Sequence, residues 1–301
     1  MNASHASATR WLGYALLFAG MTVTGSYVAL SKPLTEAFPI FLLAWMRFAI
    51  AALAGLAWLR PRPGDQGLDR QVWQTLFAQS FFGNFLFSIL MLSGLALTSA
   101  SAAGVVLAGL PAVVALFSWW WLGETLHRRT LIAIALAAMG IALLSPAGGS
   151  NAGGASLLGN LLVFGCACCE AVYVILGKRL TGRLSARRIS ALINLVGLAL
   201  TTPLGLWQAL SFNFATVTPG LWLLLVFYAV AASMISTWLW LSGLKHVPAS
   251  DSGVFTIALP LSSTAVGVWV LGESFSPYHA IALALAITGI VLVSWPRPSK
   301  A

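Results

Sequence analysis

Ten apolar segments of membrane-spanning length follow one another along the chain, and this pattern excludes most soluble folds. Hydrophobic residues make up 59% of the sequence and charged residues only 8%, which is far too apolar for one soluble domain. A segment in lipid must pair its backbone polar groups internally, so each is expected to be a helix. We therefore predict an all-α membrane protein. The segments are residues 11–30, 39–59, 72–95, 101–122, 130–145, 157–177, 189–209, 220–244, 250–271 and 278–295.

The basic residues between these segments predict the topology. If the N-terminus is cytoplasmic, the inside segments hold fourteen Lys and Arg residues and the outside loops hold only Lys32. This positive-inside bias predicts cytoplasmic N- and C-termini in a cell inner membrane. No small-residue cleavage site clearly follows the first segment, so it is expected to be retained. The charges are scattered over short loops and form no patch, so nucleic acid is not an expected partner despite a net charge of +9.

An internal repeat divides the chain into two halves. A shift of 149 residues places 92–145 on 241–294 with 23 identities in 54 positions, and a shift of 146 pairs Tyr27 with Tyr173 and Lys32 with Lys178. Each half, 11–145 and 157–295, holds five apolar segments. An odd number forces the second half to insert upside down, and inverted repeats are typical of secondary transporters with a midplane substrate site.

One acidic residue, Glu170, lies deep in the sixth segment. A carboxylate near the bilayer centre costs on the order of 2.5 to 3.5 kcal/mol on insertion scales, so it needs a partner or a function. We expect a site at which a proton and a cationic substrate compete, with a structural polar pair as the alternative. Tyr173, and Thr24 and Tyr27 in the first half, are expected to line the same cavity or to anchor helix interfaces. The cysteines, at 166, 168 and 169, match no metal or redox spacing and are interpreted as packing residues.

A second polar stripe follows one face of the third segment. Ser80, Asn84 and Ser88 recur at i+4 spacing, and the repeat places Ser233 and Thr237 opposite the last two. In lipid these groups would lose hydrogen bonds, so they are expected to face inward, toward substrate or toward neighbouring helices.

Two prolines and one arginine also interrupt the apolar segments. Pro111 and Pro260 are predicted to break the hydrogen-bond ladder mid-helix, either as bending points for alternating access or as static kinks. Arg47 lies inside the second segment, where it can extend outward along its stem or pair with a buried acid.

These features resemble the EamA-type transporters of the drug/metabolite transporter superfamily. The resemblance rests on the ten segments, the five-plus-five repeat and the paired P-x12-E segments that end at Glu124 and Glu273 in Leu-Gly-Glu. It implies an inner-membrane exporter of amino acids and other small metabolites, and a structural role for Arg47. Thr24 and Glu170 stand where many members carry tryptophan. The eight-residue spacing from Glu170 to a lysine is similar to that in small multidrug resistance transporters, whose membrane glutamate binds protons or cationic substrate.

Taken together, the residues predict a transporter that exports a small metabolite by alternating access, with coupling to protons left open. The alternative is a multidrug antiporter that exchanges protons for cationic compounds. An intramembrane enzyme is disfavoured because the four histidines, at 5, 127, 246 and 279, lie at or beyond helix ends. No phosphate-binding loop or metal-ligand cluster is found, so no cofactor or metal is expected. A channel would differ by its transport rate and by its lack of countertransport. The sequence leaves the substrate, the direction of transport and the oligomeric state open.

Overall fold

Every element in the described part of the chain is helical. The computed structural model describes residues 3–122, 128–144, 153–180, 183–244, 246 and 253–294. The α-helices are α1 (Ala3–Ala37), α2 (Ile40–Ala54), α3 (Arg70–Ser80), α4 (Phe87–Leu97), α5 (Ala100–Ala108), α6 (Leu110–Leu122), α7 (Arg128–Leu144), α8 (Gly153–Leu180), α9 (Ala186–Ser211), α10 (Pro219–Val230), α11 (Ser236–Leu244), α12 (Ala258–Trp269) and α13 (Pro277–Ser294). Short 3-10 turns occur at Leu56–Leu59, Phe214–Thr216 and Gly253–Ile257. Glu124 and the loop that holds it lie outside the described residues.

Several of these helices can cross a membrane. Among the described residues, four helical stretches are long and apolar enough to cross a membrane: Trp11–Ala37, Arg70–Leu97, Arg187–Ser211 and Pro219–Trp240. The bent pair α5–α6 makes a fifth if it is counted as one span. Shorter apolar helices cover Ile40–Ala54, Leu157–Tyr173, Phe255–Trp269 and Pro277–Leu292. Large apolar side chains such as Trp120 and Leu210 are exposed, as a lipid-facing surface requires. The predicted all-α, multi-pass membrane character is confirmed.

Two π-helical turns interrupt the bundle at related positions. Phe81–Leu86 joins α3 to α4, and Ala231–Ile235 joins α10 to α11. The shift of 149 residues places 82–86 on 231–235. Both turns carry members of the predicted polar stripe, Asn84 and Ser233. A π turn adds a residue to the helix and rotates the next helical segment about the axis, so it changes the direction in which these side chains point.

The helices pack mainly against helices of the other half of the chain. α7 lies along α13, α2 lies along α9, α1 packs against α11 and α12, and α8 packs against α4, α5 and α6. The interlocked arrangement buries the stripes of small and polar residues and leaves the large apolar side chains outside.

Two glycines show how closely the helices approach. A Cβ on Gly94 of α4 would lie 3.0 Å from the backbone oxygen of Gly159 in α8, and a Cβ on Gly243 of α11 would lie 3.0 Å from the backbone oxygen of Gly13 in α1. Such contact is possible only without a side chain. Gly94 and Gly243 are related by the shift of 149 residues, and Gly13 and Gly159 are related by the shift of 146. The two helix crossings therefore occupy corresponding positions in the two halves of the chain.

Pro111 and Pro260 each lie in the first turn of an α-helix, inside an apolar segment whose regular α-helix is interrupted just before them. Pro111 is the second residue of α6, and Pro260 is the third residue of α12 after a 3-10 turn. In the first turn of a helix the missing N–H of proline has no intrahelical acceptor to lose. The α5–α6 span is bent by 40° at this break.

Candidate functional site

Glu170 lies within α8 without a hydrogen-bond or ion-pair partner anywhere in the part of the chain that the structure describes. Its side chain is half-buried inside the bundle. The groups with which it interacts electrostatically include Tyr27 of α1, Tyr173 one turn further on, and Cys166 one turn before. A carboxylate held among phenol rings without a counterion is able to take up a proton or to bind a cationic group.

Tyr27 packs against aromatic and hydrophobic side chains of several helices. Its ring centroid is 6.0 Å from that of Tyr228 in α10, and its phenol interacts electrostatically with both Glu170 and Arg47. It also packs against two hydrophobic clusters of the core. The sequence paired Tyr27 with Tyr173 through the repeat, but nothing in the local pattern indicated that Tyr228 joins them.

Tyr173 packs directly onto the π turn between α3 and α4. A Cβ added to Gly83 would clash with the Tyr173 ring. The backbone oxygen of Tyr173 also accepts a hydrogen bond of 3.4 Å from Gln79 Nε2. Tyr173 is therefore held at a helix interface, and it lies near Glu170 at the same time.

Arg47 is buried in α2 without an acidic partner among the described residues. Its Nη2 donates to Ser88 Oγ of α4 at 2.9 Å, whereas its buried Nε has no acceptor. The guanidinium lies 4.3 Å from the ring centroid of Phe48 and 5.7 Å from that of Tyr228. The sequence offered two options, an outward extension or a pair with a buried acid, and the side chain does neither.

The stripe on the third span bonds to two neighbouring helices. Ser80 Oγ and Asn84 Nδ2 both donate to the backbone oxygen of Ile193 in α9, at 2.7 and 2.9 Å. These two side chains therefore join helices, while Ser88, one turn further on, accepts the bond from Arg47. All three bonds join neighbouring helices, which is one of the two interpretations that the sequence left open; contact with substrate stays a prediction.

The matching residues of the second half are placed differently. Ser233 is buried, its backbone oxygen accepts a bond of 3.0 Å from Ser190 Oγ, and its own hydroxyl has no partner. Thr237 is half-buried. Thr24 is also half-buried, and its hydroxyl donates to Gly20 O of its own helix at 2.9 Å.

Glu273 ties together one end of the bundle. It accepts hydrogen bonds from the backbone N–H of Ala100 at 2.7 Å, from the backbone N–H of Ser101 at 3.0 Å and from the Ser101 hydroxyl at 2.7 Å. It also forms an ion pair of 3.3 Å with Lys32. Lys32 also donates to Thr98 O at 3.1 Å. Burial alone would raise the pKa of Glu273, but the hydrogen bonds from Ser101 and Ala100 and the charge of Lys32 lower it. These partners lie in α5 and α1, far from Glu273 in the chain.

Asp65 ties together loops at the other end, although no sequence pattern had singled it out. It accepts the backbone N–H of Arg62 at 2.9 Å and of Ser185 at 2.6 Å, and it lies 3.7 Å from Arg188 Nη1. The pKa of Asp65 is held below its usual value, first by the hydrogen bond from the Arg62 N–H and further by the bonds from Ser185 and the charge of Arg188. This network joins the α2–α3 loop to the start of α9.

Two surface grooves are lined by residues other than Glu170 and Arg47. One groove of about 290 Å³ is lined by Gln71, Thr75 and Arg183, among others, and one of about 270 Å³ is lined by residues that include Trp207 and Ser211. Neither is lined by Tyr27, Glu170 or Arg47. No group of three or more potential metal ligands occurs in the described ranges.

Comparisons with known proteins identify the family. Relatives include the uncharacterized transporter YetK of Bacillus subtilis, 33% identical over 92% of this chain and 85% of that protein, and the aromatic amino acid exporter YddG of Ancylobacter novellus, 26% identical over 87% and 89%. A solved crystal structure with a TM-score of 0.64 and 24% identity covers 96% of this chain and 98% of its own, which shows a shared fold. The EamA-like transporter family matches residues 11–145 and again 157–295, and the chain therefore belongs to this family of membrane transporters.

Proposed function

We propose that the chain is a secondary transporter of the inner membrane that exports small metabolites, amino acids or related compounds, by alternating access. The observation that carries the proposal is Glu170, a carboxylate inside the bundle with no hydrogen-bond or ion-pair partner in the described ranges. A structural acid in an apolar bundle would be paired, because an unpaired buried charge is costly. A site that binds and releases a ligand must leave its polar group free.

The proposed architecture is ten membrane spans in two inverted five-helix repeats, residues 11–145 and 157–295, with both termini cytoplasmic. It is supported by the related positions of the two π turns and by the corresponding glycine crossings at Gly94 and Gly243. In such a fold the substrate lies between the repeats, near the bilayer midplane. Tyr27 of α1 packs against a hydrophobic cluster that includes Cys166 of α8, one turn before Glu170.

The networks at Glu273 and Asp65 are proposed to be the closures of the transport path. Under the proposed topology the Lys32–Glu273 network is at the outer end and the Asp65 network is at the inner end. Each joins elements that are distant in the chain, so each must loosen if the halves rock against one another. Pro111 and Pro260, at the starts of their helices, are proposed as the bending points.

Glu170 is proposed to couple export to protons by binding either a proton or the cationic group of the substrate. A second candidate, antiport of lipophilic cations, is favoured by the tyrosine rings beside the carboxylate, because aromatic faces attract cations. Both candidates require Glu170 to be ionised when substrate is bound.

Reconstitution into liposomes tests the proposal. Export of labelled amino acids, polyamines or tetraphenylphosphonium should be driven by a pH gradient, and Glu170→Gln should abolish that drive while leaving downhill exchange. Glu36→Gln, which removes an exposed carboxylate from α1, is the matched control and should behave as wild type. Proton-driven flux that is unaltered in Glu170→Gln would show that the glutamate is only structural. Absence of flux for the whole panel would contradict the transporter assignment.

A further inference from the structure

Arg47 carries a buried charge that nothing in the described part of the chain neutralises. Arg47 is 6% exposed, and no carboxylate among the described residues lies within ion-pair distance of it. Of the five N–H donors of the guanidinium, Nη2 provides one to Ser88 Oγ, and the buried Nε has no acceptor. A cation inside a protein is ordinarily balanced by an anion, since an uncompensated buried charge strongly destabilises the fold.

The surroundings of Arg47 hold it in place without neutralising its charge. Ser88 fixes one edge of the guanidinium, and the rings of Phe48 and Tyr228 lie 4.3 and 5.7 Å from it. These contacts orient a planar group, but a hydroxyl and two aromatic rings carry no negative charge. A guanidinium that is fixed through Nη2 and unpaired at Nε is suited to bidentate binding of a planar anion.

Arg47 and Glu170 both act electrostatically on Tyr27. The Tyr27 phenol interacts electrostatically with both, and Tyr228, which lies beside Tyr27, interacts with Arg47 and with Cys166, one turn before Glu170. The two charged side chains form no ion pair with each other. A ligand that bound beside Tyr27 and Tyr228 would therefore come under the influence of both a cation and an anion.

We propose that Arg47 binds the carboxylate of the transported substrate and that the cationic group of the same molecule faces Glu170, so that the substrate is a zwitterion. This inference rests on the proposed transport function and narrows it. It favours amino-acid-like metabolites over lipophilic cations, which have no group to neutralise Arg47. A phosphate dianion is a poorer fit, because Arg47 is the one cation that the described residues place beside Tyr27 and Tyr228, and the nearby Glu170 would repel a second negative charge.

The test compares amino acids with their methyl esters, which keep the ammonium and lose the carboxylate charge. Binding of L-phenylalanine, L-leucine, L-threonine and L-lysine and of each methyl ester is measured by inhibition of counterflow in proteoliposomes. The wild-type protein should bind at least one acid about tenfold or more tightly than its ester, as expected for a charge-assisted hydrogen bond. In Arg47→Gln this ratio should fall to about one.

Further variants guard against a folding defect. Arg47→Lys keeps the charge but cannot form a bidentate pair, so the acid-to-ester ratio should fall several-fold with the protein still folded. Ser88→Ala should weaken binding of the acid more than of the ester, because Ser88 holds the guanidinium. Arg128→Gln, which removes an exposed arginine at the start of α7, should leave the ratio unchanged.

The outcomes separate the inference from the function on which it rests. Wild-type protein that binds esters as tightly as acids, or an unchanged ratio in both Arg47 variants, overturns the carboxylate assignment while leaving transport in place. Absence of binding for every acid and ester, together with flux of tetraphenylphosphonium, also overturns it and favours the cation antiporter. Absence of any flux contradicts the proposed function itself.

Discussion

Glu273→Gln should destabilise the protein at neutral pH, because Glu273 joins three distant parts of the chain. The carboxylate accepts two backbone N–H groups and one hydroxyl from the start of α5, and it pairs with Lys32 of α1. Glutamine keeps one oxygen for Ala100 but presents an amide N–H₂ toward Ser101, so that one N–H loses its acceptor. Hydrogen bonds to a charged acceptor contribute about 1.5 to 3 kcal/mol each.

The Lys32 ion pair adds less. Its side chains are 26% and 11% exposed, so solvent screens the pair, and exposed pairs contribute about 0 to 1 kcal/mol. The expected loss is therefore about 2 to 4 kcal/mol, a fall in Tm of several degrees. Ser101→Ala, which removes only the hydroxyl, should cost about 1 kcal/mol. Glu36→Gln, an exposed glutamate on α1, should cost almost nothing.

The pH dependence gives an independent check of the same network. The pKa of Glu273 in the folded protein lies below its usual value of 4.5, so the unfolded chain binds the proton more readily. The stabilisation is complete above about pH 5 and is lost as the pH falls through the folded value. Thermal unfolding in detergent of wild type and Glu273→Gln should therefore converge in acid. Equal Tm values at pH 7, or a gap that stays constant down to about pH 3, would refute this account.

Three further changes should give measurable effects. Gly94→Leu and Gly243→Leu should each prevent close helix approach and lower the yield of folded protein to a similar degree, whereas a large loss at only one site would argue that the crossings do not correspond. Gly83→Ala should displace the Tyr173 ring and reduce transport more than it reduces Tm; an unchanged transport rate would contradict this contact. Asp65→Asn should destabilise the protein at pH 7 by about 1 to 3 kcal/mol, with the difference vanishing in acid as the lowered pKa of Asp65 is crossed; a gap that persists in acid would rule out its charge as the cause.

The amino-acid sequence by itself determined the class of fold. Each apolar segment overlaps a helix or a pair of helices, because a backbone in lipid must satisfy its own hydrogen bonds and only a helix does so within one segment. The same local rule made Glu170 conspicuous, since a carboxylate within an apolar segment stands out whatever surrounds it. The repeat also followed from sequence alone, through its identities at a shift of 149 residues.

The neighbours of each polar side chain were decided only by the tertiary structure. Ser88 and Asn84 belong to one stripe, yet Ser88 bonds Arg47 while Asn84 bonds the α9 backbone. Glu273 caps a helix that lies 172 residues earlier in the chain. Periodicity states which face of a helix is polar, but it does not state which helix lies opposite or how a π turn rotates the face. Those depend on close packing at glycines between segments that are distant in the chain, and no local pattern encodes that packing.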